Sequence, residues 1–318
     1  MRSGLILYDD FDTLNRDLWI EASHEAAYKR LDIENSYLKI EIRKRFGVKW
    51  ATYGLFTTRT IGIPENYVVE VELWKRGYAR RYYAVCLYLM STNESANPYY
   101  NTPWFAIKLY PRRGVTYAQV VYRDKDGNIY WKDLYSWFYG YPHAHIVAMV
   151  RNSYVETVLL WVGDRDGDPE RIPDLNFQAI SGDLYIALTV DTTETWVSRG
   201  WIGYVKIYRD TAFTLEGLQP GKTYVLRGAS GSCEITPQST KVVVDPLDPP
   251  SGCEWLRDEF YRHGYPIKLE IESDVFRIVG PRSVKPIGLE IRLPSGVYSV
   301  EVVSREGISA MTSIAISR

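Results

Sequence analysis

Period-two hydrophobic alternation, broken every few residues by Gly, Pro, Asp or Asn, is the feature that most limits what this chain can fold into. From Tyr37 to Arg43, Leu38, Ile40 and Ile42 share one face while Lys39, Glu41 and Arg43 share the other. Val69, Val71 and Leu73 alternate in the same way with Glu70 and Glu72. Successive side chains of a strand point to opposite faces, so such stretches bury one side of a sheet and expose the other. The same reading predicts strands at 83–90, 103–110, 117–123, 129–132, 145–150, 157–162, 184–190 and 201–209. Asp124-Lys125-Asp126-Gly127-Asn128 has the composition of a hairpin turn, with Gly where positive φ is needed. A sustained 3.6-residue apolar period is absent, apart from a short helical pattern at 253–263. Many short strands separated by turn residues predict an all-β sandwich.

The chain has 318 residues, enough for one large or two ordinary domains. A boundary is expected near Asp210-Thr211, giving a first domain at 1–211 and a smaller β-sandwich at 212–318. In the second part, strands are expected at 267–271, 287–293, 297–303 and 308–316. Phe213-Thr214-Leu215-Glu216-Gly217-Leu218-Gln219-Pro220-Gly221-Lys222-Thr223-Tyr224 resembles a corner of fibronectin-type sandwiches. The proline-rich run Asp245 to Pro250 has the makings of a rigid turn or linker.

With 38 basic and 39 acidic residues and no basic stripe, nucleic acid is not an expected partner. No run approaches 18 apolar residues, so no membrane-spanning helix is expected, and Met1 to Tyr8 is too short an apolar stretch for a secretory signal. Only four glutamines accompany abundant balanced charge, a composition typical of proteins from hot environments.

The opening residues run Tyr8-Asp9-Asp10-Phe11-Asp12, Asp17-Leu18-Trp19, Ser36-Tyr37-Leu38-Lys39-Ile40 and Tyr53-Gly54-Leu55-Phe56-Thr57-Thr58-Arg59. That succession resembles the start of the concanavalin A-like lectin/glucanase superfamily and covers about residues 5 to 210. The resemblance implies a jelly-roll of two antiparallel sheets, one face of which binds glycans in relatives. Laminarinase-type members carry catalytic carboxylates on a later strand as E-x-D-x-x-E. The corresponding stretch here, Trp104-Phe105-Ala106-Ile107-Lys108-Leu109-Tyr110, has no acid. The resemblance therefore implies the fold without the family's acid and nucleophile.

Aromatic residues are the main candidates for ligand contact. Positions 130 to 141 hold seven aromatics in twelve, among them Trp131, Tyr135, Trp137, Tyr139 and Tyr141, and Tyr99 and Trp104 lie upstream. Sugar rings present C–H faces that stack on exposed aromatics, although the same rings also fill cores and subunit interfaces. Asp164, Asp166 and Asp168 alternate around Gly167, a pattern suited to calcium or to a plain acidic turn. His143 and His145 share one strand face, a spacing open to a metal pair or to simple hydrogen bonding. Glu70 and Glu72 stand roughly 6–7 Å apart by strand rise, a spacing open to carboxylate-pair hydrolysis or to a solvated face. Gly228-Ala229-Ser230-Gly231-Ser232 departs from G-x-S-x-G, so nucleophilic catalysis has little support. Cys233 and Cys253 lie in Ser/Gly loops and are a candidate disulfide, while Cys86 sits in an apolar strand.

These observations together describe an all-β protein, a two-sheet antiparallel jelly-roll sandwich followed by a smaller β-sandwich. The expected role is non-catalytic carbohydrate recognition or adhesion at a cell or virion surface. The alternatives are a structural subunit of a surface assembly and a divergent glycoside hydrolase or lyase. The expected partners are a glycan or other subunits, a homo-oligomer included.

Overall fold

The computed structural model describes residues 5–75, 82–138, 140–163, 169–208, 213–216, 218–227, 231–246, 249–257, 270–272, 277–279, 296–303 and 309–316. The chain divides into two compact units, one at Leu5–Asp210 and one formed mainly by Thr211–Arg318. The first unit begins with β1 (Leu5–Asp9), β2 (Trp19–His24), β3 (Ala26–Glu34), β4 (Tyr37–Lys44), β5 (Ala51–Thr57) and β6 (Ile61–Ile63). There follow β7 (Tyr67–Lys75), β8 (Tyr83–Met90), β9 (Trp104–Arg112), β10 (Val115–Arg123), β11 (Ile129–Trp137) and β12 (His143–Arg151). It ends with β13 (Tyr154–Val162), β14 (Glu170–Ile172), β15 (Phe177–Gln178), β16 (Gly182–Thr192) and β17 (Ser198–Tyr208).

These strands form two large antiparallel sheets, the jelly-roll type of sandwich expected from the sequence. The first runs β14-β13-β12-β7-β17-β4-β3, with β1 added to β17 and β15 to β13. The second runs β11-β10-β9-β8-β16-β5-β2, with β6 added to β16. Alternation decides which residues meet between them. Leu38, Ile40 and Ile42 of β4 and Val69, Val71 and Leu73 of β7 share one buried cluster with Val85, Leu87 and Leu89 of β8 and Phe105, Ile107 and Leu109 of β9. Each such side chain contributes about 1.5–3 kcal/mol on burial.

Two-residue turns set the register of several hairpins. Asn35 and Ser36 (φ 55° and 59°), Arg113 and Gly114 (51° and 78°), and Asn152 and Ser153 (48° and 62°) are all left-handed. Paired left-handed residues match the right-handed twist of the strands they join. The turn expected at 124–128 is present: the Asp124 amide donates to Asn128 O, and Gly127 has φ 89°.

The second sheet carries a further apolar layer on its outward face. Phe56, Cys86, Tyr88, Met90, Trp104, Ala106, Val121 and Ala187 cluster there, with Tyr99 and Tyr185 packed against them. Tyr99 belongs to the segment between β8 and β9, whose 3-10 turn at Pro98–Tyr100 is capped by the Asn97 side chain.

The second unit contains β18 (Phe213–Glu216), β19 (Tyr224–Arg227), β20 (Ser232–Ile235), β21 (Lys241–Val244), β22 (Glu270–Glu272), β23 (Arg277–Val279), β24 (Gly296–Val303) and β25 (Ser309–Ile316). They pair as β21-β18-β23, β20-β19-β22 and β24-β25. A disulfide joins Cys233 of β20 to Cys253. Residues 255–257 are helical, and 258–263 of the expected helix lie outside the described residues, as does the strand expected at 287–293. Among the described residues, no helix is long and apolar enough to cross a membrane.

Candidate functional site

The outward face of the second sheet is where chemistry concentrates, and its rows follow from register. Lys108 of β9 pairs with Gln119 of β10 and Cys86 of β8, and Gln119 pairs with Asp133 of β11. Residues paired across neighbouring antiparallel strands point the same way, so these four side chains line one row. Tyr110 pairs with Tyr117 and Val121 with Trp131 in the flanking rows.

One half of this face is dry. Lys108 is 1% exposed. Its ammonium donates to the Tyr88 hydroxyl at 2.7 Å, and that hydroxyl donates to Asp191 Oδ2 at 2.7 Å. Asp191 also accepts from Thr189 at 3.1 Å and from the Cys86 thiol at 3.5 Å. The rings of Tyr88, Trp104 and Tyr99 stand 4.2, 4.5 and 4.8 Å from the Lys108 ammonium, an aromatic cage. Burial lowers the Lys108 pKa, while the adjoining Cys86 and Asp191 pull it back up. Burial, and after it the Asp191 charge, pushes the Cys86 thiol and the Tyr88 phenol well above their ordinary values. A charge held this way is part of the scaffold, sealed beneath Tyr99, which itself packs on Trp50.

The other half of the face is open. Trp131 is 53% exposed on β11, and Tyr110 is exposed on β9. Arg112 lies over the rings of Tyr117 and Trp131, 4.8 and 5.8 Å from their centres. Its guanidinium donates to Asp133 Oδ2 at 2.6 Å, and Gln119 Nε2 donates to Asp133 Oδ1 at 2.5 Å. Aromatic faces beside a fixed carboxylate, guanidinium and amide thus share one outward patch, built on strands rather than loops.

The structure distributes the aromatic candidates unevenly. Trp131 joins the open patch. A register shift between Ala118 and Gln119 puts Tyr135 and Trp137 opposite Ala118 and Thr116, away from the row of Trp131 and Asp133. Trp137 is 8% exposed within the main core, and Trp104 is fully buried under Tyr99, which corrects the expectation that these two rings present stacking faces. Tyr99 covers Lys108 and is itself partly covered, whereas Tyr135 and Tyr141 are exposed. Tyr139 and the acidic positions Asp164, Asp166 and Asp168 lie outside the described residues. Tyr110, Tyr117, Arg112 and Asp133 were not singled out from sequence, because the pairing that gathers them is nonlocal.

The carboxylates of β7 face outward from the first sheet and are both engaged. Glu70 accepts from Tyr208 at 2.7 Å and from Lys206 at 3.5 Å. Glu72 accepts from Tyr37 at 2.8 Å and contacts His143 Nε2 at 2.7 Å. Opposing hydrogen-bond donors hold the Glu72 carboxyl below its ordinary value against the effect of burial.

No protein-family model matches the chain, and no curated protein matches it. Solved structures similar to it include an immunostimulatory antigen and pseudo β-1,3-glucanase of Mycobacterium tuberculosis. That pair has 11% identity and a TM-score of 0.43, covering 65% of this chain and 99% of the other. The calcium-bound exoplasmic/lumenal domain of VIP36 has 9% identity and a TM-score of 0.43, covering 65% and 90%. The catalytic domain of an endo-1,3-β-glucanase (laminarinase) from Thermotoga petrophila has 13% identity and a TM-score of 0.40, covering 66% and 98%. Likeness at this level has no bearing on activity, which is read from the side chains themselves.

Proposed function

We propose that this chain is a carbohydrate-recognition protein whose ligand lies against Trp131, Tyr117 and Tyr110. The observation that carries the reading is the half-exposed Trp131 ring beside the Arg112–Asp133–Gln119 network. A sugar ring buries its C–H face on such an indole while fixed polar groups orient its hydroxyls. That β9 turns Trp104, Ala106, Lys108 and Tyr110 outward, none of them an acid, supports binding over cleavage. The Cys233–Cys253 disulfide supports an extracellular setting, where such bonds persist and where recognition or adhesion at a surface is performed.

The test is a tryptophan-fluorescence titration of the full chain against soluble β-glucan, xylan, mannan and host-surface oligosaccharides, each signal followed over time. A saturable and stable change is expected, lost in Trp131→Ala while the melting temperature is kept. A change that decays as ligand is consumed identifies an enzyme instead. Silence across the panel overturns carbohydrate recognition.

A further inference from the structure

We propose that Glu72, His143 and His145 form a binding site for a divalent transition-metal ion of the zinc class. The site lies on the outward face of the first sheet and is independent of the carbohydrate reading. His145 and Glu72 are direct cross-strand partners on β12 and β7, and His143 stands two residues along the same face. Both imidazole ε nitrogens converge on one carboxylate oxygen: His143 Nε2 is 2.7 Å and His145 Nε2 3.7 Å from Glu72 Oε1. The three donor atoms all lie within 4.8 Å of one another. Bonds of about 2.0–2.1 Å to a tetrahedral ion place neighbouring donors about 3.3–3.4 Å apart. The contact of 2.7 Å must therefore open and that of 3.7 Å close, each by well under an ångström of side-chain rotation.

The donor set selects the class of ion. Two imidazoles and a carboxylate suit zinc, copper, nickel or iron, whereas calcium and magnesium take oxygen ligands. Three protein donors leave a coordination position for water, as in zinc sites that act on a substrate rather than merely brace a fold.

Supporting contacts hold the donors as metal sites require. His145 Nδ1 is 3.2 Å from the Tyr204 hydroxyl. With the proton on Nδ1 and donated to that oxygen, the Nε2 lone pair faces Glu72. Tyr37 fixes the same carboxylate oxygen that both histidines approach. Partners of this kind typically set metal affinity by a factor of 10–100. Trp74 lies 5.8 Å from His143 and 5.2 Å from Trp201, walling one side. The backbone makes room as well. β17 shifts register between Ile202 and Val205, and a Cβ at Gly203 would sit 2.0 Å from Glu72 Oε2. Glycine at this point is what allows the carboxylate to reach the histidines.

The experiment is calorimetric titration of the chelator-stripped full chain with Zn²⁺, repeated in His145→Gln and Tyr204→Phe, with Co²⁺ absorption as a second readout. One ion per chain is expected, weakened at least 100-fold in His145→Gln and about 10–100-fold in Tyr204→Phe. Should His145→Gln fail to fold, the wild-type Co²⁺ spectrum decides, with the strong visible bands of a tetrahedral nitrogen/oxygen site expected. No stoichiometric Zn²⁺ binding by the wild type, absence of those bands, or unchanged affinity in both variants overturns the proposal.

Discussion

The outward faces of the two sheets solve the same problem in opposite ways. Each strand must do something with the residues that do not enter the shared core. On the second sheet, Lys108, Tyr88, Cys86 and Asp191 are covered by Tyr99 and Trp104, so a charge is stored in a dry layer. On the first sheet, Glu72 and Glu70 are matched by Tyr37, His143, Tyr208 and Lys206 in a polar network, with His143 and Lys206 partly open to water. The dry layer gives a rigid base from which Trp131, Tyr110 and Tyr117 project. The polar network gives donor atoms that an ion can reorganise. Rigidity suits stacking, and a convergent donor set suits coordination.

The largest expected effect tests the dry layer. Asp191→Ala removes the acceptor of Tyr88 and leaves Lys108 charged and buried, a loss expected to cost about 3–5 kcal/mol in urea denaturation. Glu70→Gln, on the polar face, is expected to cost about 1–3 kcal/mol, because Tyr208 keeps an acceptor and Lys206 reaches solvent. Equal losses in the two variants would break the contrast.

Two glycines sharpen it. A Cβ at Gly54 would lie 1.9 Å from the Leu188 carbonyl oxygen, a backbone atom of the neighbouring strand β16. Gly54→Ala is therefore expected to cost about 3 kcal/mol or more, at the top of the overpacking range. At Gly203 the obstructing atom is the end of the Glu72 side chain, which can move at the expense of its hydrogen bonds. Gly203→Ala is expected to cost about 1–3 kcal/mol and to weaken zinc binding with it.

Alkaline titration reports on the covered face through Lys108, the described lysine whose pKa is lowered by burial. Lys108 has a lowered pKa in the folded state, so the unfolded chain binds more protons and stability rises with pH up to about 10.4. Tyr88 and Tyr99 have raised values, burial first and the Asp191 charge second, so the folded chain keeps protons that the unfolded chain loses above about 10. Their stability contribution falls from there upward. The buried Cys86 thiol likewise keeps its proton when folded, so its contribution falls above about 8.5 and opposes that of Lys108. In denaturation followed from pH 7 to 12, stability is expected to fall more steeply between about pH 8.5 and 10.4 in Lys108→Met than in the parent. Identical pH profiles in parent and variant would show that Lys108 contributes nothing to the alkaline linkage.

Sequence patterning and structure part company where pairing is nonlocal. Patterning placed β4 and β7 by alternation and β8 and β16 as apolar runs, although β7, β8 and most of β16 are buried on both faces. It passed over β3, a partly buried edge strand whose apolar stripe is limited to Leu31 and Ile33. It ended β11 at Lys132, since the irregularity before Trp137 breaks strict alternation, and the same irregularity divides the aromatic run between two faces. His143 and His145 were legible as face-sharing neighbours, but only the β12–β7 register brings Glu72 to them. Lys108 within Ala106-Ile107-Lys108-Leu109 carried a signal, a cation in an apolar strand. Its partners come from β8 and β16, and nothing local announces them.

The smallest stability effects belong to the open patch, and there function and stability should separate. The Arg112–Asp133 pair is about one-third exposed on each side, so Arg112→Ala is expected to change stability by under about 1 kcal/mol. Trp131→Ala, on the surface, should fall within about 0.5 kcal/mol of the parent. Trp137→Ala, six residues along the same strand and in the core, should cost about 3–5 kcal/mol. In fluorescence titration, Trp131→Ala should abolish the saturable sugar response and Arg112→Ala should weaken it, because the guanidinium lies over the Trp131 and Tyr117 rings and anchors Asp133. If Trp131→Ala destabilised the chain as strongly as Trp137→Ala, its ring would be part of the packing. The patch would then belong with the covered half of the face, and the distinction between base and platform would fail.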